Sequence, residues 1–197
     1  LDLDNSLVNE FIDRGASSSS SPREMAELCD VVITCLPSPK ACSEVMESED
    51  GVIAGLKEGK VWLEMSTTDE AEIRRIGLLV ESTGALPIDC PVSGGCHRAD
   101  TGNISIFAGC KREAFDKALP ILKTMGRRVL HTGDLGTAST LKVMTNYLAT
   151  VNLVSISEAL TTMKVLGMDM NVTYEAIKAS SGNSFVHETE SQVILNG

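Results

Sequence analysis

The sequence predicts an α/β domain with a largely parallel sheet, followed by an all-α domain built on one long spine helix. Three observations lead there. Runs rich in Val, Ile and Leu begin at residues 30, 60 and 85, with helix-patterned stretches between them; strand, helix, strand at that spacing means crossover units and parallel pairing. From Thr137 to Leu166 there is neither Pro nor Gly, and Gly167 then supplies a stop. Aromatic residues make up only 4% of a chain that is 43% hydrophobic, so its core must be aliphatic.

Taken in order, "LDLDNSLVNE" reads as the end of a strand running at once into a helix, and "SSSSSP" (17–22) as a joint to the next crossover. The strands expected are "DVVITCLP" (30–37), "KVWLEMST" (60–67), "ALPIDCPV" (85–92), "ISIFAGC" (104–110) and "RVLHTG" (128–133). "TDEAEIRRIGLLVESTG" (68–84) is a helix capped by Thr68 or Asp69 and ended by Gly84. The run after Gly136 makes a helix of about 30 residues, roughly 45 Å long. It is apolar on more than one face, which predicts burial on several sides. "NVTYEAIKASSG" (171–182) and "FVHETESQVILNG" (185–197) read as further helices. The expected division is an α/β domain over residues 1–135 and a helical domain over 136–197.

Composition narrows the function classes. With 17 basic and 27 acidic side chains the net charge is −10, and no stripe of Lys/Arg interleaved with aromatics is present, so nucleic acid is not the expected partner. Six cysteines show no C-x-x-C spacing, and His97, His131 and His187 fall in no ligand pattern. The expectation is no metal and reduced thiols used as small hydrophobes. No stretch is apolar enough to span a bilayer and the first residues are not a signal peptide, so the chain reads as a soluble protein of the cytoplasm.

Three strand ends gather polar or small residues: "LP" (36–37), "ST" (66–67) and "SGG" (93–95). In open α/β sheets ligands sit beyond the carboxyl ends of strands. Ser93-Gly94-Gly95 either makes a tight turn or presents a hydroxyl and successive N–H groups to a carboxylate. Lys142 and Asn146, four residues apart, share one helix face. Lys142 is either a solvated surface lysine or, among Leu141, Val143, Met144, Tyr147 and Leu148, a desolvated one whose lowered pKa suits proton transfer. Asp2 or Asp4 could accept hydrogen bonds from a ribose hydroxyl.

Together these stretches resemble the β-hydroxyacid dehydrogenase family. "DCPVSGG" is similar to its substrate-binding stretch, "TGNISIFAGC" follows at family spacing, "GDLGTASTLKVMTN" is similar to its lysine segment, and "CLPS" and "MSTTD" to its two cofactor-touching strand ends. The likeness runs through essentially the whole chain in order. It implies a Rossmann-like sheet domain whose first strand, glycine loop and helix are missing, and hydride transfer between NAD(H) and a small β-hydroxyacid or semialdehyde. Lys142 is then the catalytic lysine, and Ser93, Gly94, Gly95 and Asn146 hold the substrate. Leu36, Pro37 and Thr67 touch the cofactor. Asp2, by its spacing to Gly15-Ala16, reads the adenosine ribose, and an acid there implies NAD rather than NADP.

The substrate implied is a small carboxylate such as 3-hydroxyisobutyrate, with tartronate, succinic or glyoxylic semialdehyde as alternatives. The apolar spine helix, with half its covering missing, is expected to expose surface and favour a homodimer or homotetramer through the helical domain; a mitochondrial matrix location is the alternative to the cytoplasm if a leader was lost. Thr145-Asn146 stands where 6-phosphogluconate dehydrogenases carry His-Asn, and imine reductases usually replace the lysine; both are disfavoured. Departures are the absent G-x-G-x-x-G, the absent later Lys-Asp segment, and Ala41 where an Asn is often found. They point to a piece of a longer enzyme, or, as the rival from another class, to a non-catalytic binding module.

Overall fold

Serine and aspartate side chains start most of the helices in the first part of the chain. In the computed structural model, which describes residues 1–196, Asp4 caps α1 (Asn5–Asp13). Ser21 caps α2 (Pro22–Leu28), Ser38 caps α3 (Pro39–Glu47) and Asp69 caps α5 (Glu70–Ser82). Each accepts an N–H that the first helical turn leaves without a partner. Proline occupies the first position of α2 and α3, where its missing N–H costs nothing. The last serine of "SSSSSP" is therefore a helix cap. Its predecessor Ser20 gives both its N–H and hydroxyl to Glu24, each at 2.6 Å. The remaining short helices are α4 (Val52–Gly55) and α6 (Cys96–Ala99), with α7 (Arg112–Met125) packing beside the sheet.

The strands are β1 (Val31–Thr34), β2 (Val61–Glu64), β3 (Leu86–Asp89), β4 (Val92–Ser93), β5 (Ile104–Gly109) and β6 (Gly126–Gly133). β1, β2 and β3 pair in parallel with Thr34, Glu64 and Asp89 in one row across them. β5 runs antiparallel to β3 and β4 and parallel to β6. The single strand expected over 85–92 is thus two. Pro91 has no N–H to donate, which interrupts the ladder, although its carbonyl still accepts Phe107 N–H at 3.1 Å.

Side chains alternate across the sheet, and both faces are covered, as parallel pairing requires. Leu63, Ile88, Ile106 and Cys90 meet Phe115, Ala118 and Leu122 of α7 on one face. Trp62 and Val32 meet Ala26, Met46, Ile73 and Ile76 from α2, α3 and α5 on the other. Across that second layer Arg75 joins Glu72 at 2.7 Å and also pairs with Glu47, tying α5 to α3. Hydrogen bonds from Arg75, and from Ser43, bring the Glu72 carboxyl down to about 2.

The chain divides into two compact units, with the boundary after Lys142, inside α8 (Thr137–Val165). In the second unit α9 (Met170–Lys178) is capped by Asp169. The last helix contains a π-helical turn, His187–Ser191, before α10 (Gln192–Asn196). His187 there is fully buried and satisfied: its ring nitrogens lie 3.0 Å from Ser191 Oγ and 3.0 Å from the Tyr174 carbonyl oxygen.

The expectation that α8 is buried on several sides is corrected, while the expectation that this spine helix exposes apolar surface agrees with its side chains. Ile156 and Leu160 are buried, but Met144, Tyr147, Leu148, Val151 and Val154 are 41–60% exposed. No described element lies over that stretch, so its apolar side chains face outward. Three of the six cysteines, Cys42, Cys90 and Cys110, are buried; Cys29, Cys35 and Cys96 are exposed, and all are free thiols. Among the described residues no helix is long and apolar enough to cross a membrane, and no His/Cys/Asp/Glu cluster could hold a metal ion.

Candidate functional site

The carboxyl ends of β1 and β2 are locked by a buried polar chain centred on Glu64, which is 0% exposed. Trp62 Nε1–H donates to Thr34 Oγ1 at 2.8 Å, and the Thr34 hydroxyl donates on to Glu64 at 2.7 Å. The Cys42 thiol donates to the same carboxylate at 2.8 Å and the Ser66 N–H at 2.7 Å. Burying a carboxylate without a cation requires such a set of donors. Burial, reinforced by the Glu64 charge, pushes the Cys42 thiol far above its ordinary range, so it stays a proton donor and not a nucleophile.

Ser66 then carries the order outward, accepting the Leu36 N–H on its hydroxyl at 2.7 Å. The backbone at Leu36 and the Ser66-Thr67 turn are held side by side, with Pro37 and Thr67 exposed. Next along, Thr68 is 5% exposed and its hydroxyl has no protein partner. A buried hydroxyl left over at a strand end suits a site that takes a polar ligand.

β3 ends differently. Asp89, also 0% exposed, accepts the Ser139 N–H at 2.8 Å and the Ser139 hydroxyl at 2.7 Å, joining the strand to the first turn of α8. Burial pushes its carboxyl above the ordinary range, opposed by those two hydrogen bonds. Four residues on, Ser93 pairs with Ser105, and Gly94 and Gly95 take φ of 137° and 77°, conformations that side chains resist. A Cβ on Gly94 would stand 2.9 Å from Arg98 Cδ, so the glycine also makes room for the stem of a basic residue. The turn reading and the cradle reading of this stretch describe one geometry.

Lys142 is 9% exposed, and desolvation lowers its pKa. The solvated-lysine alternative does not hold. The neighbours expected to bury it do not, however: Leu141, Val143 and Met144 are each about half exposed. Residues adjacent in a helix point in different directions, and Lys142 alone of the four turns inward. Asn146 follows one turn along α8 and is exposed.

Asp2 is exposed and accepts the Asp4 N–H at 2.9 Å. Residues 1–3 form no strand. Asp4 is committed to its helix, taking the Ser6 N–H and hydroxyl, which hold its carboxyl below the ordinary range. That leaves Asp2 as the better placed acid for an outside ligand.

Leu36 and Ser66 are thus brought together by direct contact, and the first turn of α8, one turn ahead of Lys142, is bonded to Asp89 at the end of β3, four residues before Ser93. Glu64, Asp89, Ser139 and Arg98 were missed by the sequence reading. A cavity of about 400 Å³ lined by Leu78, Leu86, Pro87, Ala114 and Leu135 includes none of the site residues, and the Lys111–Glu81 ion pair joins two of its lining residues.

Comparison with known proteins identifies what the chain is similar to. Residues 1–133 match the model for the NAD binding domain of 6-phosphogluconate dehydrogenase. Residues 136–197 match the model described as NAD-binding of NADP-dependent 3-hydroxyisobutyrate dehydrogenase. Mouse mitochondrial 3-hydroxyisobutyrate dehydrogenase is 31% identical over 187 residues, 95% of this chain and 56% of its own. An NAD-dependent L-serine dehydrogenase of Pseudomonas aeruginosa is 32% identical over 95% of this chain and 63% of its own. The crystal structure of a 3-hydroxyisobutyrate dehydrogenase from Salmonella typhimurium superposes with a TM-score of 0.87 at 26% identity, over all of this chain and 69% of that one. The chain spans about 56–63% of the length of these two curated relatives. With both family models matched in order and the strand ends and lysine arranged as described, the chain belongs to the β-hydroxyacid dehydrogenase family.

Proposed function

We propose that the protein carrying this chain transfers a hydride between NAD and a small β-hydroxyacid, with Lys142 as the proton-transferring group. The observation that carries the reading is the burial of Lys142, which lowers its pKa, on a helix tied to Asp89 at the end of β3, a few residues before the glycine turn. In oxidation the neutral amine takes the substrate's hydroxyl proton as the hydride leaves; in reduction the ammonium returns it. Ser93, Gly94 and Gly95 hold the carboxylate with N–H groups and a hydroxyl, and Asn146 helps orient the hydroxyl. Leu36, Pro37 and Thr67 hold the nicotinamide end, where the pinned backbone and the unpartnered Thr68 hydroxyl suit a polar ring. The bound nicotinamide supplies the hydride acceptor.

The exposed Asp2 carboxylate supports NAD over NADP, since it would repel a 2′-phosphate. The names of the mouse and Pseudomonas relatives frame the substrate class as 3-hydroxyisobutyrate or L-serine. The mouse relative's name places that protein in mitochondria, which supports a matrix location.

The test is a panel of β-hydroxyacids and semialdehydes, 3-hydroxyisobutyrate, L-serine and tartronate semialdehyde among them, assayed with the full-length protein and each dinucleotide. The expected outcome is turnover with at least one small acid and kcat/KM for NAD roughly tenfold or more above that for NADP, a difference of about 1.4 kcal/mol. Asp2→Ala should erase the preference. Absence of turnover across the panel would sink the reading, and preference for NADP would sink the role of Asp2.

The apolar stripe from Met144 to Val154 supports association with a second copy through the helical part. Sedimentation of the full-length protein should give a dimer or tetramer, and a monomer at high concentration would contradict it.

A further inference from the structure

A catalytic lysine must be held within a fraction of an ångström of its working place, and a long helix does not achieve that by itself. The first N–H groups of α8 have no partner inside the helix. Asp89, fifty residues earlier, places both carboxylate oxygens on a single residue of that turn: one on the Ser139 N–H, the other on its hydroxyl. A negative charge at a helix N-terminus is also favoured by the peptide dipoles. Ser139 lies one turn ahead of Lys142 on the same face.

Two further contacts clamp the same turn. β5 passes so close that a Cβ on Gly109 would stand 2.9 Å from both the Asp134 carbonyl oxygen and Thr137 Oγ1, and 3.1 Å from Ala138 N. Gly109 is itself the bridge partner of Asp89. On another side the Thr140 hydroxyl is shared between the Gly136 carbonyl oxygen at 3.1 Å and Glu70 at 3.2 Å. The rotation of α8 about its axis, and with it the direction of Lys142, is set at this turn.

We propose that Asp89 and Ser139 are positioning residues that aim Lys142 relative to the glycine turn four residues beyond Asp89, an inference that rests on the reading of Lys142 as the proton-transferring group. The Asp89 carboxylate touches no reacting atom in this role. It couples the two halves of the substrate site by holding the helix that bears one to the end of β3, from which the chain runs on into the other.

The experiment uses the full-length protein with Ser139→Ala, Ser139→Thr, Asp89→Asn and Lys142→Ala, and the pair Ser139→Ala with Lys142→Ala. Kinetic constants, the pH profile of kcat and thermal unfolding are measured for each. Ser139→Ala is expected to lower kcat about tenfold, to leave the dinucleotide KM within about twofold, and to shift the pH limb belonging to Lys142. Ser139→Thr, which restores the hydroxyl, should recover most of the rate. In the Lys142→Ala background Ser139→Ala should cost less than about twofold, because a group acting through the lysine has nothing left to aim.

An equal loss in both backgrounds, or a Ser139→Ala protein with unchanged kcat and pH profile, would overturn the positioning role while leaving Lys142 in place. A Lys142→Ala protein that turns over normally removes the reading beneath it and the proposal together. Should Asp89→Asn not fold, the Ser139 variants still decide.

Discussion

Lys142→Ala in the full-length enzyme is expected to lower kcat by about 10²–10⁴, the range for loss of a positioned acid–base group. The lysine is nearly buried and its ammonium is disfavoured by desolvation, so removing it relieves a desolvated charge and the unfolding temperature should change little. The sign of the pH effect follows from the same burial. A lowered pKa means that the neutral amine, the form that takes a proton during oxidation, is populated at lower pH than for a lysine in water. Oxidation should therefore rise with pH through a limb that lies below the ordinary lysine range, and that limb should vanish in Lys142→Ala. Lys142→Arg keeps a positive charge but cannot release its proton, so it should be as impaired as the alanine variant. Steady-state kinetics across pH checks all three statements. Near-normal turnover of Lys142→Ala would end the assignment.

Trp62→Ala is expected to be the most damaging substitution for stability. Trp62 is 0% exposed and packs among Val32, Ala26, Met46, Ile73 and Ile76. Truncating a buried aromatic to alanine costs about 3–5 kcal/mol, which lowers Tm by about 6–20 °C for a chain of this size. The loss also reaches the strand ends, because the indole N–H donates to Thr34, which in turn donates to Glu64. Thermal denaturation followed by circular dichroism measures it. A Tm within about 2 °C of the parent would contradict the core assignment.

Much of the arrangement was legible from local pattern. The parallel strands stand where the branched apolar runs are, because a strand covered on both faces carries no polar alternation. Ser93–Gly95, Leu36 and Thr67 were marked by small or polar residues interrupting such runs. What could not be read was partnership at a distance. Nothing adjacent in sequence says that Glu64 is satisfied by Thr34 and Cys42, 30 and 22 residues away, or that Asp89 belongs to Ser139. A signal was there nonetheless: a carboxylate inside "VWLEMST" and another inside "PIDCP", both in strands that must be buried. Such a charge has to find donors. The desolvated alternative for Lys142 leaned on neighbours in sequence that the helix turns outward, whereas the lysine itself is the one that turns inward.

The bond between Asp89 and Ser139 also has a history in time. β1, β2 and β3 are joined by successive crossovers and pair in chain order, so a growing chain can assemble them before α8 has been made. Synthesis proceeds from the amino end at about 5–20 residues per second, so the fifty residues separating the two partners take roughly 2.5–10 s to appear. Until then Asp89 has no Ser139 to meet, and a carboxylate without donors is far better off in water. When the helix arrives, docking of its first turn removes that water and orients the lysine in a single event. The docking of that turn, which also brings Thr140 to Glu70, is thus a late step in the assembly of the first unit.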